Sequence, residues 1–184
     1  DFVVGAPANP THTRVSFQLG GAELALFTGS IERVASGSGN DVFEFHDTSL
    51  LSGAELDGGS GIDWLGYANM AVAVEVNLST APFEDPAVLL PATIAASSAT
   101  GTSSIANFEN TIGSAQDDLL VGSDGPNELR GGLGDDRLFG LRDDDTLKGG
   151  FGSDRLAGGA GDDVYIVNAL LDTLTLHEDR GVVL

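Results

Sequence analysis

A period of nine residues constrains this chain more than any other feature of its sequence. Starting at Gly113, six nonapeptides follow one another without insertion: GSAQDDLLV (113–121), GSDGPNELR (122–130), GGLGDDRLF (131–139), GLRDDDTLK (140–148), GGFGSDRLA (149–157) and GGAGDDVYI (158–166). Three of the six fit G-G-x-G-x-D-x-U-x throughout, where U is a large apolar residue. Self-similarity at a short fixed period marks units that cannot bury their apolar face alone and must stack on one another.

The nine positions divide by their chemistry. Position 8 holds Leu120, Leu129, Leu138, Leu147, Leu156 and Tyr165, whereas positions 7 and 9 mix Arg, Lys, Glu and Thr with apolar residues. One inward side chain between two outward ones describes a three-residue strand. Glycines at positions 1, 2 and 4 permit the tight backbone, positive φ and close carbonyl approach that a turn around an ion needs. Each nonamer is therefore expected to be a turn plus a short strand, and two nonamers one coil of a flattened helix. Coils would stack about 4.8 Å apart in parallel pairing, with the leucines meeting between two sheets.

Alternation sorts the residues at position 6 into two columns, Asp118, Asp136 and Asp154 along one edge and Asn127, Asp145 and Asp163 along the other. Two carboxylates about 5 Å apart repel by about 1 kcal/mol in water and by several at an effective dielectric near 20, so such a column cannot close empty. A divalent cation between successive coils reverses the sign. Calcium accepts six to eight oxygens at about 2.3 to 2.6 Å in irregular geometry, which bridging carboxylates and turn carbonyls can supply; magnesium is smaller and stricter. The turn glycines concerned are Gly131, Gly132, Gly134, Gly149, Gly150, Gly152, Gly158, Gly159 and Gly161. Pairing of each repeat with the next but one predicts four sandwiched sites, 118/136, 136/154, 127/145 and 145/163, with Asn127 making its own the weakest. Gln116, Pro126, Leu141 and Asp143 depart from the glycine pattern and make the middle of the run less regular.

The phase continues once more as VNALLDTLT (167–175), with Asp172 and Leu174 at positions 6 and 8; Leu170, Leu171, Leu174 and Leu176 are expected to cover the end of the leucine stack. Upstream the pattern recurs as SGSGNDVFE (36–44), carrying Gly37, Gly39 and Asp41, and GGSGIDWLG (58–66), carrying Gly58, Gly59, Gly61 and Asp63, all further candidate ligands. Ile31–Val34 parallel Phe108–Thr111 at an offset of 77 residues, pairing Asp41 with Asp118, and Val15, Phe17 and Leu19 parallel Val74, Val76 and Leu78, which suggests two unequal copies. The Ala, Ser, Thr and Pro-rich stretch 79–107 is expected to be a surface loop, and 46–57 an insertion whose Leu50, Leu51 and Leu56 pack beside the first roll. The organisation expected is a degenerate roll with inserted strands and loops over 1–112, a regular roll with a capping half-coil over 113–175, and a flank over 176–184. Both ends look like cuts within a longer array.

The net charge of -20 comes from 28 acidic and 8 basic residues, and Asp outnumbers Glu by 19 to nine. Such a balance makes nucleic acid an improbable partner and demands neutralisation. With no cysteine there is no disulfide framework, thiolate site or thiol redox chemistry, and no window is apolar enough to span a membrane.

These nonapeptides resemble the RTX (hemolysin-type) calcium-binding repeats of type I secreted bacterial proteins, strongly over 113–175, fairly over 31–66, and also in the leading phrase IANFENTIG (105–113). The resemblance implies an all-β, right-handed parallel β-roll, or β-helix, binding several Ca2+ ions. It further implies a secreted or cell-surface module that stays unfolded at cytosolic calcium, folds on meeting millimolar calcium outside, and serves the secretion and folding of neighbouring domains of its parent, a toxin, adhesin or secreted enzyme. An alternative is a structural, self-associating unit of an adhesin, surface layer or fibre. Catalysis is not expected: His12, His46 and His177 are scattered, no GxSxG occurs, and Asp85-Pro86, a bond some related modules cleave, is read as a turn. Trp64 is open to two readings, an exposed binding aromatic or a side chain packed on the inserted loop.

Overall fold

A computed structural model describes residues 3–5, 13–19, 22–28, 33–45, 54–85, 88–90, 94–97, 101–167, 172–174 and 182–183, with the backbone course alone for 3–5, 13–19, 22–28, 85, 88–90, 94–97, 101–103, 174 and 182–183. Every element among the described residues is a strand. The first group comprises β1 (Val3–Gly5), β2 (Thr13–Leu19), β3 (Ala22–Thr28), β4 (Arg33–Ala35), β5 (Val42–Phe45), β6 (Glu55–Asp57) and β7 (Trp64–Gly66). There follow β8 (Val74–Asn77), β9 (Phe83–Asp85), β10 (Val88–Leu90), β11 (Ile94–Ser97), β12 (Gly101–Ala106) and β13 (Asn110–Ile112). The repeats supply β14 (Leu119–Val121), β15 (Glu128–Leu133), β16 (Arg137–Arg142), β17 (Thr146–Phe151), β18 (Arg155–Ala160), β19 (Val164–Ile166), β20 (Thr173–Leu174) and β21 (Val182–Val183).

Successive repeats fall alternately into two sheets. Sheet A runs β1, β4, β6, β12, β11, β8, β14, β16, β18, β20, and sheet B runs β21, β19, β17, β15, β13, β7, β5, β2, β3. The result is an all-β solenoid of parallel strands with about 6 turns, a β-roll. Pairing follows the expected step of two nonamers: Leu120 faces Leu138 and Leu138 faces Leu156 in sheet A, while Leu129 faces Leu147 and Leu147 faces Tyr165 in sheet B. All six side chains are fully buried between the sheets. Each leucine contributes roughly 2 kcal/mol by burial, and only the stack makes such short strands persist.

The regular strands are six residues long rather than three, because ladder pairing continues into the next repeat: Gly132 faces Gly150 and Leu133 faces Phe151. Glycine is needed here, since Gly150 sits at φ +115° with Gly132 stacked so closely that a Cβ would strike its carbonyl. In the irregular repeat, Leu141 and Asp143 adopt the same left-handed conformation at φ 88° and 67°. The backbone path is set by its neighbours, and these two residues bear the strain of following it.

Upstream, the solenoid is continuous with the array: β7 pairs with β13 and β8 with β14, both in parallel. The parallel drawn between Val15–Leu19 and Val74–Leu78 does not hold in space. β2 lies in sheet B, antiparallel to both β3 and β5, whereas β8 lies in sheet A. Alternating apolar residues specify a half-buried strand but not which sheet, or in which direction, it joins. Residues 79–107 are likewise not one surface loop, since they contain β9 to β12. β11 and β12 fill two slots of sheet A between β8 and β6, their small residues offering no alternation to read. Leu56 is buried at an inward position of β6 between Val34 and Ile105, not beside the roll, while Leu50 and Leu51 lie outside the described residues, as do Leu170, Leu171, Leu176 and the three histidines.

On the outside of sheet A, Leu119, Val121 and Phe139 form a second apolar cluster under the β9–β10 hairpin, with the rings of Phe83 and Phe139 4.6 Å apart. On sheet B, the Arg130 guanidinium, on β15 two strands along from β7, lies 4.7 Å from the Trp64 ring centroid, so a cation covers this half-buried indole; most of the inserted loop lies outside the described residues. Truncating Leu147 to Ala is expected to cost about 3 kcal/mol in urea unfolding at saturating calcium, against less than about 0.5 kcal/mol for exposed Phe151→Ser. Asp143→Gly should gain about 1 kcal/mol in the same assay by relieving the left-handed backbone.

Candidate metal centres

The turns entering sheet A and those entering sheet B present two acidic columns, and a single hydrogen-bond pattern builds both. At each step, the backbone N–H of one position 6 residue donates to Oδ1 of the position 6 residue one coil further on. On the first edge Asp136 accepts from Asp118 and Asp154 from Asp136, both at 2.9 Å, and Asp172 from Asp154 at 3.2 Å. On the second edge Asp145 accepts from Asn127 at 2.8 Å and Asp163 from Asp145 at 2.9 Å. The two columns predicted from the period are thus brought together in register. At position 5 the pattern is reversed and exposed: Asp135 N–H donates to Asp117, Ser153 N–H to Asp135, and Asp162 N–H to Asp144.

Position 6 is buried, at 0 to 6% exposure, for Asp41, Asp63, Asp118, Asn127, Asp136, Asp145, Asp154 and Asp163, whereas Asp172 in the last half-coil is half-buried. The glycine at position 1 makes room: a Cβ on Gly131 would collide with Asp136 Oδ2 and the Gly149 carbonyl oxygen. With Oδ1 bonded, Oδ2 of Asp63, Asp136, Asp145 and Asp154 is buried with no hydrogen-bond partner among the described residues. Such an atom is costly unless a cation or proton meets it. Among the described residues no three carboxylate or imidazole groups form a cluster, so a bound ion would take one carboxylate from each of two coils and the remaining oxygens from turn carbonyls. Buried anionic oxygen beside close backbone carbonyls fits a hard divalent cation.

Two of the expected ligands differ from the rest. Asp118 has both oxygens occupied, by the N–H of Val74 and by the N–H and Oγ of Ser114. Asn127 accepts from the N–H of Ser123 and donates through Nδ2 to the Glu109 carbonyl. In these repeats serine replaces glycine at position 2 and completes the turn with its own donors. The period exposed the aspartates but not this substitution, whose meaning lies in two hydrogen bonds rather than in phase.

The second column also runs further than the array. Asp63 accepts from Asp41 N–H at 2.7 Å, the loops carrying Gly37, Gly39 and Gly58, Gly59, Gly61 stacking through a Ser38–Ser60 bridge. Glu109 then accepts from Asp63 N–H at 2.7 Å. Asp41, paired in sequence with Asp118, therefore stands on the opposite edge from it, because the offset of 77 residues exchanges the sheets.

Burial, the largest cause, and then the charges of neighbouring acids push these carboxyls upward, to about 8 at Asp136 and Asp145 and to about 6 at Asp63 and Asp118; Asp154 is raised for the same reasons. A carboxyl with a raised folded pKa holds its proton more tightly folded than unfolded. Its contribution to the ion-free fold is complete below the ordinary value of 3.8 and is lost as pH climbs through about 6 and then about 8. The chelated protein should therefore be more ordered by circular dichroism at pH 5 than at pH 8.5, while the cation concentration at half-folding rises on acidification through competition with protons.

Residues 112–147, 131–165 and 139–174 match the RTX calcium-binding nonapeptide repeat (4 copies). No curated protein matches the chain. Repeats of this type bind calcium, and their number implies several ions. The ladder of buried carboxylates over 112–174 is thus part of an array of RTX calcium-binding nonapeptide repeats, the family to which this part of the chain belongs.

Proposed function

We propose that the chain is a calcium-gated folding module of a secreted protein, and that its ions sit between successive turns of the two columns. The observation that carries this reading is the set of buried Oδ2 atoms at Asp136, Asp145 and Asp154 that have no hydrogen-bond partner among the described residues. The ligands assigned are the carboxylates of Asp118, Asp136, Asp154, Asp145 and Asp163 and the Asn127 side chain. They act with turn carbonyls from Gly131, Gly132, Gly134, Gly149, Gly150, Gly152, Gly158, Gly159 and Gly161. In the upstream loops Asp41 and Asp63, with Gly37, Gly39, Gly58, Gly59 and Gly61, play the same part.

Without ions, each coil added to the stack buries another anion beside the last. Ions that bind only the folded form stabilise it by mass action, so millimolar free calcium favours the roll and submicromolar calcium does not. That contrast matches the difference between the outside and inside of a cell. It would let the chain cross an export channel unfolded and fold afterwards, aiding the folding of the polypeptide that carries it. The role is structural; no residue is assigned to catalysis.

Titration with calcium followed by circular dichroism should convert coil to β structure, and equal magnesium should not; a chelated sample equally ordered at neutral pH would refute the reading. Asp136→Asn keeps the Oδ1 acceptor but removes the charge. It should stabilise the chelated form while raising the calcium midpoint about tenfold, because fewer anionic ligands remain.

A further inference from the structure

Glu109 occupies the place in the sheet B column where a repeat aspartate would stand, yet lies outside the matched repeats. Its Oε2 accepts the Asp63 N–H at 2.7 Å, the same bond that Asp136 makes with Asp118, and the two residues are separated by 46 positions in sequence. The turn that carries it is abbreviated. Inward Ile105 of β12 and Thr111 of β13 are six residues apart, whereas Leu120 and Leu129 are nine apart. Asn107 makes this shortened turn by adopting φ 57°, which Asn tolerates better than most residues. Glutamate, one methylene longer than aspartate, makes this bond from the shortened turn.

The surroundings repeat those of the array. A Cβ on Gly58 would collide with the Asn107 carbonyl oxygen and would crowd Asp63 Oδ2, as one on Gly131 would meet the Gly149 carbonyl and Asp136 Oδ2. Asp63 is fully buried, and its Oδ2 has no hydrogen-bond partner. Asp57 adds negative charge nearby, its Oδ1 held by Asn107 Nδ2 at 2.8 Å.

We infer that Asp63, Glu109 and the Asn107 carbonyl form a calcium site of their own, one that joins the loop at 58–63 to the head of the repeat array and closes the intervening excursion of strands β8 to β12. The site extends the calcium reading given above and rests on it. Its position permits a selective probe, because Trp64, the only tryptophan, follows Asp63 directly. Terbium bound there is excited through the indole more strongly than terbium further along the column.

Glu109→Gln retains the acceptor for Asp63 N–H and removes only the charge. In the full chain it should weaken the tryptophan-sensitised terbium emission and lower the calcium count in native mass spectrometry by one. Asp63→Asn, which also serves the site shared with Asp41, should abolish most of the emission and lower the count by two, whereas Asp145→Asn should lower the count but spare the emission. Unchanged emission and count in Glu109→Gln, alongside a lowered count in Asp145→Asn, overturns the assignment of Glu109 alone. A wild-type chain that takes up no calcium overturns the function proposed for the array.

Discussion

The donation of a backbone N–H to a buried carboxylate one coil further on holds this structure in register. It is a ruler as well as a bond: in the array every such bond spans 18 residues, and each positions the next acid for the following one. It also leaves Oδ2 of Asp63, Asp136, Asp145 and Asp154 buried without a hydrogen-bond partner among the described residues. An ionised carboxylate removed from water costs several kcal/mol unless compensated, and one N–H offsets only part of that. The interaction that orders the backbone thus leaves buried charge unmet, and under the proposed function this is what couples folding to ion binding.

How much of this was readable before the structure depended on how the information was stored. Leucine at position 8 and aspartate at position 6 recur in strict phase, so the sheets, the 18-residue step and both columns followed from counting. Glu109 escaped because its turn lost three residues and its inward neighbour is Thr111 rather than leucine, which erased the phase and the apolar mark together. β11 and β12 escaped because strands made of Ala, Ser, Thr and Gly owe their place to ladder bonds with β8 and β6, not to a buried face. The roles of Ser114, Ser123 and Arg130 depend on contacts with residues brought near only by folding.

The two sheets are unequal, and the insertion accounts for the difference. Sheet A takes in β8 and β11 as extra strands and shelters Leu119, Val121 and Phe139 beneath the β9–β10 hairpin, with Arg155 also lying 5.5 Å from the Phe139 ring centroid. Sheet B accepts no extra strand between β7 and β13, and its carboxylate column consequently passes from Asp41 through Asp63 to Glu109, whose carbonyl accepts from Asn127 Nδ2 at the head of the array. On the sheet A edge the pattern begins at Val74, whose N–H caps Asp118 without a carboxylate beneath it. The excursion that interrupts one column leaves the other intact.

Position 2 then sets how strongly each turn depends on an ion. Serine at 114 and 123 supplies an N–H and a hydroxyl to the side chain at position 6, so those turns can close without a cation. Glycine at 132, 150 and 159 takes positive φ instead, and no such bond reaches Oδ2 of Asp136 or Asp154. The array therefore starts with turns that satisfy their own position 6 side chains and proceeds to turns that, among the described residues, leave a buried Oδ2 without a hydrogen-bond partner. A roll graded in this way has a formed edge on which the first ion-dependent coil can add, which removes the loop-closure cost of starting in the middle. Under the proposed function, calcium dependence within the array is strongest in the later repeats, where the missing hydrogen bonds and the neighbouring charges coincide.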